Sequence, residues 1–559
     1  MSRLHRLLPF LNWPRPSRAL LQGEALAGLA VGLMVIPQGV AYAALAGMPL
    51  VTGIYASMLP ALVAVLFSAS PRLSVGPTAL SCLLVSAGLS GLAEPGSVQW
   101  LNLAVWLALL SGLLQIVLGF MRFGWLLNVV SSPVLMAFTQ AAAVLIIGSQ
   151  LPGLLGLPAH ALQALQTGGW HWLSLAFGLG SLGLLHLARR WRPAFPSVLL
   201  IVLLSALLSK LLGFEAGGGT VVGPLPHGLP VLQLPSVPPL AVLSQLVLPT
   251  LIITLVSFLE TASSAKVDNE RSGTRWDQDQ DLIGQGLGKL ASGLSGAFPT
   301  SSSFSRSALN LYAGARTGWA TVFSVGVVLA ALLVFTPVLR FVPQAVLAAI
   351  VVIAVLGLIK PREFTRLWRV SRVEALIAAA TFVITLLAAP QLYWGVLAGV
   401  LMSLSHFLYQ RLHPRIIEAG LHPDGSLRDR HRWKLPPIAP HTYALRMDAA
   451  LDFAAAAEFE RVVTEHLAAH PDTRQVCWFA QPINRIDATG VDTFLKLAQQ
   501  LRGQGIALHI SGLKLPVEQA LARAGWHPEA PAQQLHRTEA EALQALRSPR
   551  AEPLPHPEG

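Results

Sequence analysis

Charged residues are scarce in this chain: they make up 12% of its 559 residues, against about 25% in soluble domains, which excludes a soluble enzyme. Cysteine is scarcer still. Cys82 falls in an apolar run and Cys477 in a polar C-terminal stretch, so no disulfide framework is expected. Metal-ligand spacings, nucleophile elbows and phosphate-binding loops are missing, so no enzyme activity, no metal and no cofactor are expected. No small-residue cleavage site follows the basic, aromatic N-terminus (Arg3, Arg6, Trp13, Arg15, Arg18). Residues 1–23 read as a cytoplasmic leader rather than a cleaved signal. The net charge is +11, but the Lys and Arg residues sit in short loops between apolar stretches, which argues against nucleic acid as a partner.

What the chain has in excess is apolar sequence. Hydrophobic residues make up 53% of it, and apolar stretches continue to about residue 411. A helix needs about 20 apolar residues to cross the hydrocarbon core. Windows of that size predict fourteen spans: 24–47, 50–68, 76–92, 100–120, 126–151, 171–188, 195–213, 242–265, 281–297, 302–315, 318–338, 341–358, 373–389 and 392–411. Basic residues fall on alternate loops: Arg72, Arg122, the Arg189/Arg190/Arg192 cluster, Arg271 with Arg275, Arg316, and the run from Lys360 to Arg372. Only Arg340 breaks the alternation. By the positive-inside rule both termini are then cytoplasmic, which requires an even number of spans.

Fourteen is twice seven, and two halves of seven must be inverted in the membrane. Two sites recur at one offset. Gln38, after Pro37 in the first span, lies 222 residues before Glu260 in the eighth. The interrupted stretch Ser74-Val75-Gly76-Pro77-Thr78-Ala79 lies about as far before Phe298-Pro299-Thr300-Ser301-Ser302-Ser303. Each places a Pro before small and hydroxyl residues and a short apolar run. The plainer reading is that Gly and Pro are common in membrane helices; two pairs at a matching offset weigh against it.

Irregular backbone at membrane depth is tolerated only where protein or water covers it. If spans three and ten each begin a half-helix near the midplane, their N-termini point at a common centre. Each N-terminus carries roughly half a positive charge and unpaired N–H groups. Two of them make an anion cradle from backbone alone, with Thr78, Ser81, Ser301, Ser302, Ser303 and Ser305 as hydroxyl donors. The competing reading is of small residues at helix crossings. Arg306, four residues into span ten, either faces this cavity or snorkels to an interface; stranded in hydrocarbon it costs at least about 2.5–3.5 kcal/mol. Span eight carries Thr250, Thr254, Ser257, Thr261 and Ser264 on one helical stripe that Glu260 borders. A carboxylate there suits a proton or cation carrier, or else a counter-ion to Arg306 or Lys266. Glu24, at the start of span one, is expected to complement a helix dipole or pair with a loop cation.

After Pro436-Pro437 the pattern is α/β: strands at 442–447, 475–480 and 506–510, helices at 454–468, after Asp487-Ala488-Thr489-Gly490 and from Leu515. The expected division is 24–411 for the membrane domain, 412–441 for a linker, 442–545 for an α/β domain, and 546–559 for a disordered tail.

These residues resemble the sulfate-permease (SulP-type) anion transporters, which end in a STAS domain. The resemblance covers nearly the whole chain. Its most specific pieces are Ile36-Pro37-Gln38-Gly39-Val40-Ala41-Tyr42-Ala43 with Gly47-Met48-Pro49 and Gly53-Ile54-Tyr55 behind it. Ser74 to Ala79, Glu260-Thr261 with Ala265-Lys266, Ser303-Phe304-Ser305-Arg306-Ser307 and Pro343-Gln344-Ala345-Val346-Leu347 add to it. The resemblance implies an all-α membrane domain of seven-plus-seven inverted repeats, with core and gate domains, in homodimers of the bacterial inner membrane. It places Gln38, Tyr42, Thr78, Ala79, Ser305 and Arg306 at the anion and Glu260 at a coupling proton or sodium. The tail departs from the pattern. Where phosphorylated STAS regulators carry Ser after the Asp of this turn, the chain has Ala488, and Thr489 is a weak substitute.

The function these readings favour is secondary active transport of a small anion, such as sulfate, bicarbonate or a dicarboxylate like fumarate, by proton-coupled symport. The alternative is an uncoupled exchanger or channel for chloride, nitrate or bicarbonate, which has no need of Glu260. Nucleobase carriers, fold relatives, would place a carboxylate where this chain has Arg306 and would lack the tail. A membrane-tethered signalling module needs no interrupted helices and ranks last.

Overall fold

The computed structural model describes residues 8–157, 171–191, 197–224, 228–232, 234–273, 275–334 and 336–547. Arg3 and Arg6 of the leader, Arg192 of the cationic loop and the tail from 548 lie outside these residues. The chain divides into two compact units, Met1–Ser403 and Leu404–Gly559.

Helices occupy all fourteen of the expected spans. In the first half they are Arg18–Leu45, Leu50–Tyr55 with Leu59–Phe67, Ala79–Leu89, Val98–Phe120, Ser132–Leu155, Trp172–Trp191 and Ser197–Leu211. In the second they are Val247–Ser272, Gln278–Leu294, Phe304–Tyr312, Trp319–Val334, Gln344–Leu356, Arg372–Leu387 and Tyr393–Leu412. Span two is one apolar run in sequence and two helices in space, because Pro60 sits in the first turn of the second and cannot continue the first. Spans three and ten have 11 and 9 helical residues. At 1.5 Å per residue they rise about 17 and 14 Å, roughly half of the hydrocarbon core. They are half-helices, each preceded by extended backbone.

The extended pieces meet. Strand β1 (Val75–Gly76) pairs antiparallel with β2 (Ser301–Ser302), with Val75 opposite Ser302 and Gly76 opposite Ser301. Their mutual pairing satisfies backbone groups that the bilayer interior could not. Close helix crossings frame this bridge. Spans one and two touch at Gly39 and Gly53, where a Cβ on Gly53 would stand 1.8 Å from the Gly39 carbonyl oxygen. No other side chain fits there. Arg340, the exception in the charge alternation, stacks over Phe341, with guanidinium carbon to ring centroid 5.4 Å.

The C-terminal unit is a six-stranded sheet in the order β4-β3-β5-β6-β7-β8. Its strands are β3 (Ile416–Leu421), β4 (Leu427–Asp429), β5 (Thr442–Met447), β6 (Gln475–Phe479), β7 (Ala507–Ser511) and β8 (Gln533–His536). Strands β5 to β8 run parallel, joined by the helices Phe453–Ala469, Ala488–Gly503 and Leu515–Arg523. Trp478, Phe459 and Phe494 fill the core beneath them. The expected linker 412–441 is corrected here. Residues 416–429 form a hairpin whose first strand pairs antiparallel with β5. Pro436-Pro437 breaks the chain after the hairpin, inside the unit rather than before it. The expectation of a disordered tail from 546 is corrected at its start: Leu546 and Arg547 close the helix Glu539–Arg547, and Leu546 is buried.

Candidate functional site

The bridge aims both half-helices from one point. Thr78 caps span three, its hydroxyl accepting the Ser81 N–H at 3.2 Å; Ser303 caps span ten, accepting the Arg306 N–H at 3.5 Å. The two caps are 225 residues apart in sequence, close to the 222 that separates Gln38 from Glu260. The Ser303 N–H donates to the Ser74 carbonyl at 2.9 Å, and the Ser74 N–H to the Ser307 hydroxyl at 3.0 Å. Each half-helix thus starts from groups that the other half holds.

Arg306 lies inside this junction with 1% of its surface exposed, so it does not snorkel. Its Nε donates to Ser74 Oγ at 3.2 Å and its Nη1 to the Pro77 carbonyl at 2.9 Å. Its Nη2 is buried with no hydrogen-bond partner in the protein. A Cβ on Gly76 would stand 3.3 Å from that nitrogen, so the glycine leaves it space. Gln38, on span one, is likewise buried with its Oε1 unpartnered. Tyr42, one helical turn on, is buried and lies within the field of Arg306 and Glu260.

Glu260 faces the N-terminus of span three. Thr78 Oγ1 donates to its Oε2 at 3.1 Å and Ser81 Oγ to the same oxygen at 3.3 Å, while the nearby Ser301 hydroxyl donates to the Ser257 carbonyl at 3.1 Å. Lys266, weighed as its counter-ion, is exposed. The Glu260 charge interacts instead with two buried cations, Arg306, which the sequence named, and Lys289, which the sequence reading missed. Lys289 lies on span nine, wholly buried, and its Nζ donates to Ser257 Oγ, one turn before Glu260. Gln115 of span four donates to the same Ser257 hydroxyl at 3.0 Å, and the Glu260 and Lys289 charges act on each other. A signal existed. Lys289 is the sole Lys or Arg in Gln278–Leu294, a helix whose other residues around it are small.

Two expected residues sit differently. Ala79 is the first residue of the span-three helix and offers its backbone. Ser305 is exposed rather than buried in the junction, its Oγ 3.3 Å from Ser303 Oγ. Glu24 complements a helix dipole as expected, at span eleven. Its Oε1 accepts the Arg316 and Thr317 N–H groups at 2.8 and 2.9 Å, and its Oε2 the Ala320 N–H at 3.0 Å.

A sequence profile described as the sulfate permease family matches residues 21–381, and one for the STAS domain matches residues 436–542. A probable sulfate transporter 4.2 of Arabidopsis thaliana is 32% identical over 551 residues, covering 93% of this chain and 80% of the relative. A probable sulfate transporter of Mycobacterium tuberculosis is 31% identical over 544 residues, covering 95% and 96%. Among solved structures, SLC26A9 superimposes with a TM-score of 0.86 at 19% identity, covering 97% of this chain and 93% of that one. The transmembrane domain of BicA, a cyanobacterial bicarbonate transporter, superimposes with a TM-score of 0.59 at 23% identity, over 69% of this chain and 98% of that one. At these identities the two structures bear on the fold alone.

Proposed function

Because the chain belongs to the sulfate permease family and carries its C-terminal STAS domain, we propose that this multi-pass membrane protein takes up a divalent oxyanion, sulfate first, with a proton. The observation that carries the reading is the unpartnered Nη2 of Arg306, buried between two helix N-termini. The two N-termini together supply about one positive charge, and Arg306 adds a second. A dianion balances that sum; chloride or nitrate leaves it half met. Arg306 Nη2 and the first N–H groups of span three, from Ala79 on, would hold the oxyanion, with Gln38 and Tyr42 closing the side opposite. Ser305 stands at the exposed rim of that cradle. The names of the plant and mycobacterial relatives support sulfate over bicarbonate or a dicarboxylate.

Glu260 serves as the proton site. Deprotonated, it accepts from Thr78 and Ser81 at the head of span three and is balanced by Lys289. Protonated, it relieves the cradle of one negative charge just where the anion must enter. Proton and anion therefore favour each other's binding. The protein works as a homodimer in the bacterial inner membrane, with both termini on one side, as an even number of spans requires, and that side cytoplasmic by the positive-inside rule. The test is uptake of labelled sulfate, bicarbonate, fumarate, chloride and nitrate into proteoliposomes, with and without an inward proton gradient. Sulfate uptake stimulated by the gradient is expected, and Glu260→Gln should lose the stimulation while keeping sulfate binding. Uptake led by monovalent anions and indifferent to the gradient would establish the uncoupled exchanger instead.

A further inference from the structure

The cationic run from Lys360 to Arg372 counts in the sequence only as a marker of sidedness; in the structure it is a helix. Pro361 to Val370 forms ten residues of α-helix, with Pro361 in its first turn, between the end of span twelve at Leu356 and the start of span thirteen at Arg372. Both of its ends lie within five residues of a membrane-spanning helix. The helix cannot leave the membrane surface.

Its two faces differ. At 100° per residue, Phe364, Leu367 and Trp368 cluster on one side, while Arg362, Arg366 and Arg369 cluster on the other. Packing sets the roll of the helix: the Phe364 ring meets Phe382 of span thirteen edge-on, centroids 5.8 Å apart. Phe382 lies ten residues into that span, about 15 Å along it. The apolar face therefore leans back along span thirteen, toward the depth of the acyl chains. The three arginines point away from it, where lipid headgroups lie. All three are exposed, and the one ion pair they make among the described residues is Arg366 to Glu363 at 3.8 Å, a loose contact between exposed groups. Lys360 and Arg372 flank the helix and are exposed as well.

We propose that the helix Pro361–Val370 is an anionic-lipid binding element. Its Arg362, Arg366 and Arg369 take the phosphates of acidic phospholipids in the cytoplasmic leaflet while Phe364, Leu367 and Trp368 sit among the upper acyl carbons. A guanidinium fork matches a phosphodiester in two hydrogen bonds. Five cations within thirteen residues beside a span, offset by Glu363 alone, match what an anionic leaflet attracts. Each arginine near the surface is worth about a fivefold gain in affinity at low salt, so three give about a hundredfold. The attraction is screened within about 10 Å at 0.1 M salt, so it acts only on lipid in direct contact.

The experiment uses the full-length protein in mixed micelles of equal phosphatidylglycerol and phosphatidylcholine, with native mass spectrometry counting the lipids each molecule retains. Wild type should retain phosphatidylglycerol in clear excess, and raising salt to 0.5 M before desalting should erase that excess without any substitution. The triple variant R362Q/R366Q/R369Q should retain the two lipids equally. The matching lysine variant should keep a partial preference, because charge remains and the fork is lost. Arg122→Gln, on another basic loop, should leave the preference as in wild type. Equal retention by wild type, an excess that survives 0.5 M salt, or a triple variant that retains phosphatidylglycerol like wild type would overturn the proposal.

Discussion

Arg306 and Ser74 stand 232 residues apart in the chain and are joined by a 3.2 Å hydrogen bond from Nε to Oγ. One lies in the second half of the repeat and the other in the first. The bond orients the guanidinium so that Nη1 meets the Pro77 carbonyl and Nη2 remains open. The cationic group of the site is thus held by the half that does not encode it.

Arg306→Ala should weaken anion binding according to the charge of the anion. Coulomb energy scales with charge, so a tenfold loss for a monovalent anion implies about a hundredfold loss for a divalent one. Lys should rescue in part, restoring charge without the planar fork. Affinities of sulfate and nitrate in wild type, Ala and Lys variants check this. Equal affinities in all three would leave the cradle to the helix ends alone.

Glu260 and Lys289 should behave as a charge pair within one buried network. Removing either partner strands a charge, at about 3 kcal/mol. The double variant Glu260→Gln/Lys289→Gln should therefore cost less than the two single costs added, by at least about 1 kcal/mol. Thermal unfolding of the four proteins in detergent gives the cycle. Strict additivity would mean that Lys289 serves Ser257 and Gln115 alone.

Glu24→Ala removes the acceptor of three backbone N–H groups at the head of span eleven. The expected loss is about 1–2 kcal/mol of stability, the size of a strong helix cap. Gradient-driven uptake per folded molecule should be unchanged, since both Glu24 oxygens are already committed to backbone. If that uptake loses its response to the proton gradient, the coupling site is Glu24 rather than Glu260.

Truncation should be sensitive to where the cut falls relative to β3. A chain ending at Pro436 keeps Ile416–Leu421 without β5, exposing a strand edge that invites association between molecules. A chain ending at His413 carries neither strand. Size-exclusion profiles in detergent should be monodisperse for the shorter chain and broadened for the longer. The reverse order would mean that the hairpin folds with the membrane unit.

The fourteen spans were legible because each is a long apolar run punctuated by charge. The two half-helices were legible because proline and serine interrupt runs that are then too short to cross. Glu260 stood out as an acid within a hydroxyl stripe. Lys289 did not, because Asp279, Asp281 and Gln285 give its helix an amphipathic look in which one cation is unremarkable. Its importance arises from Ser257, 32 residues earlier, and only folding brings the two together. The hairpin at 416–429 was hidden for a different reason. A pair of prolines is the stronger punctuation in one dimension, whereas β3 is recognised as part of its sheet only through its pairing with β5. The helix Pro361–Val370 was obscured by its own arginines, which serve equally to mark a side of the membrane.

The four residues of the β1–β2 bridge limit how such a molecule can move. Parting the strands at membrane depth would leave several N–H and C=O groups without partners, each at several kcal/mol, and would cut the Arg306–Ser74 tether as well. The halves of the repeat are therefore riveted at the proposed anion site. Any passage from one side to the other must carry that junction whole, as a bucket travels with its load, past a wall formed by other helices.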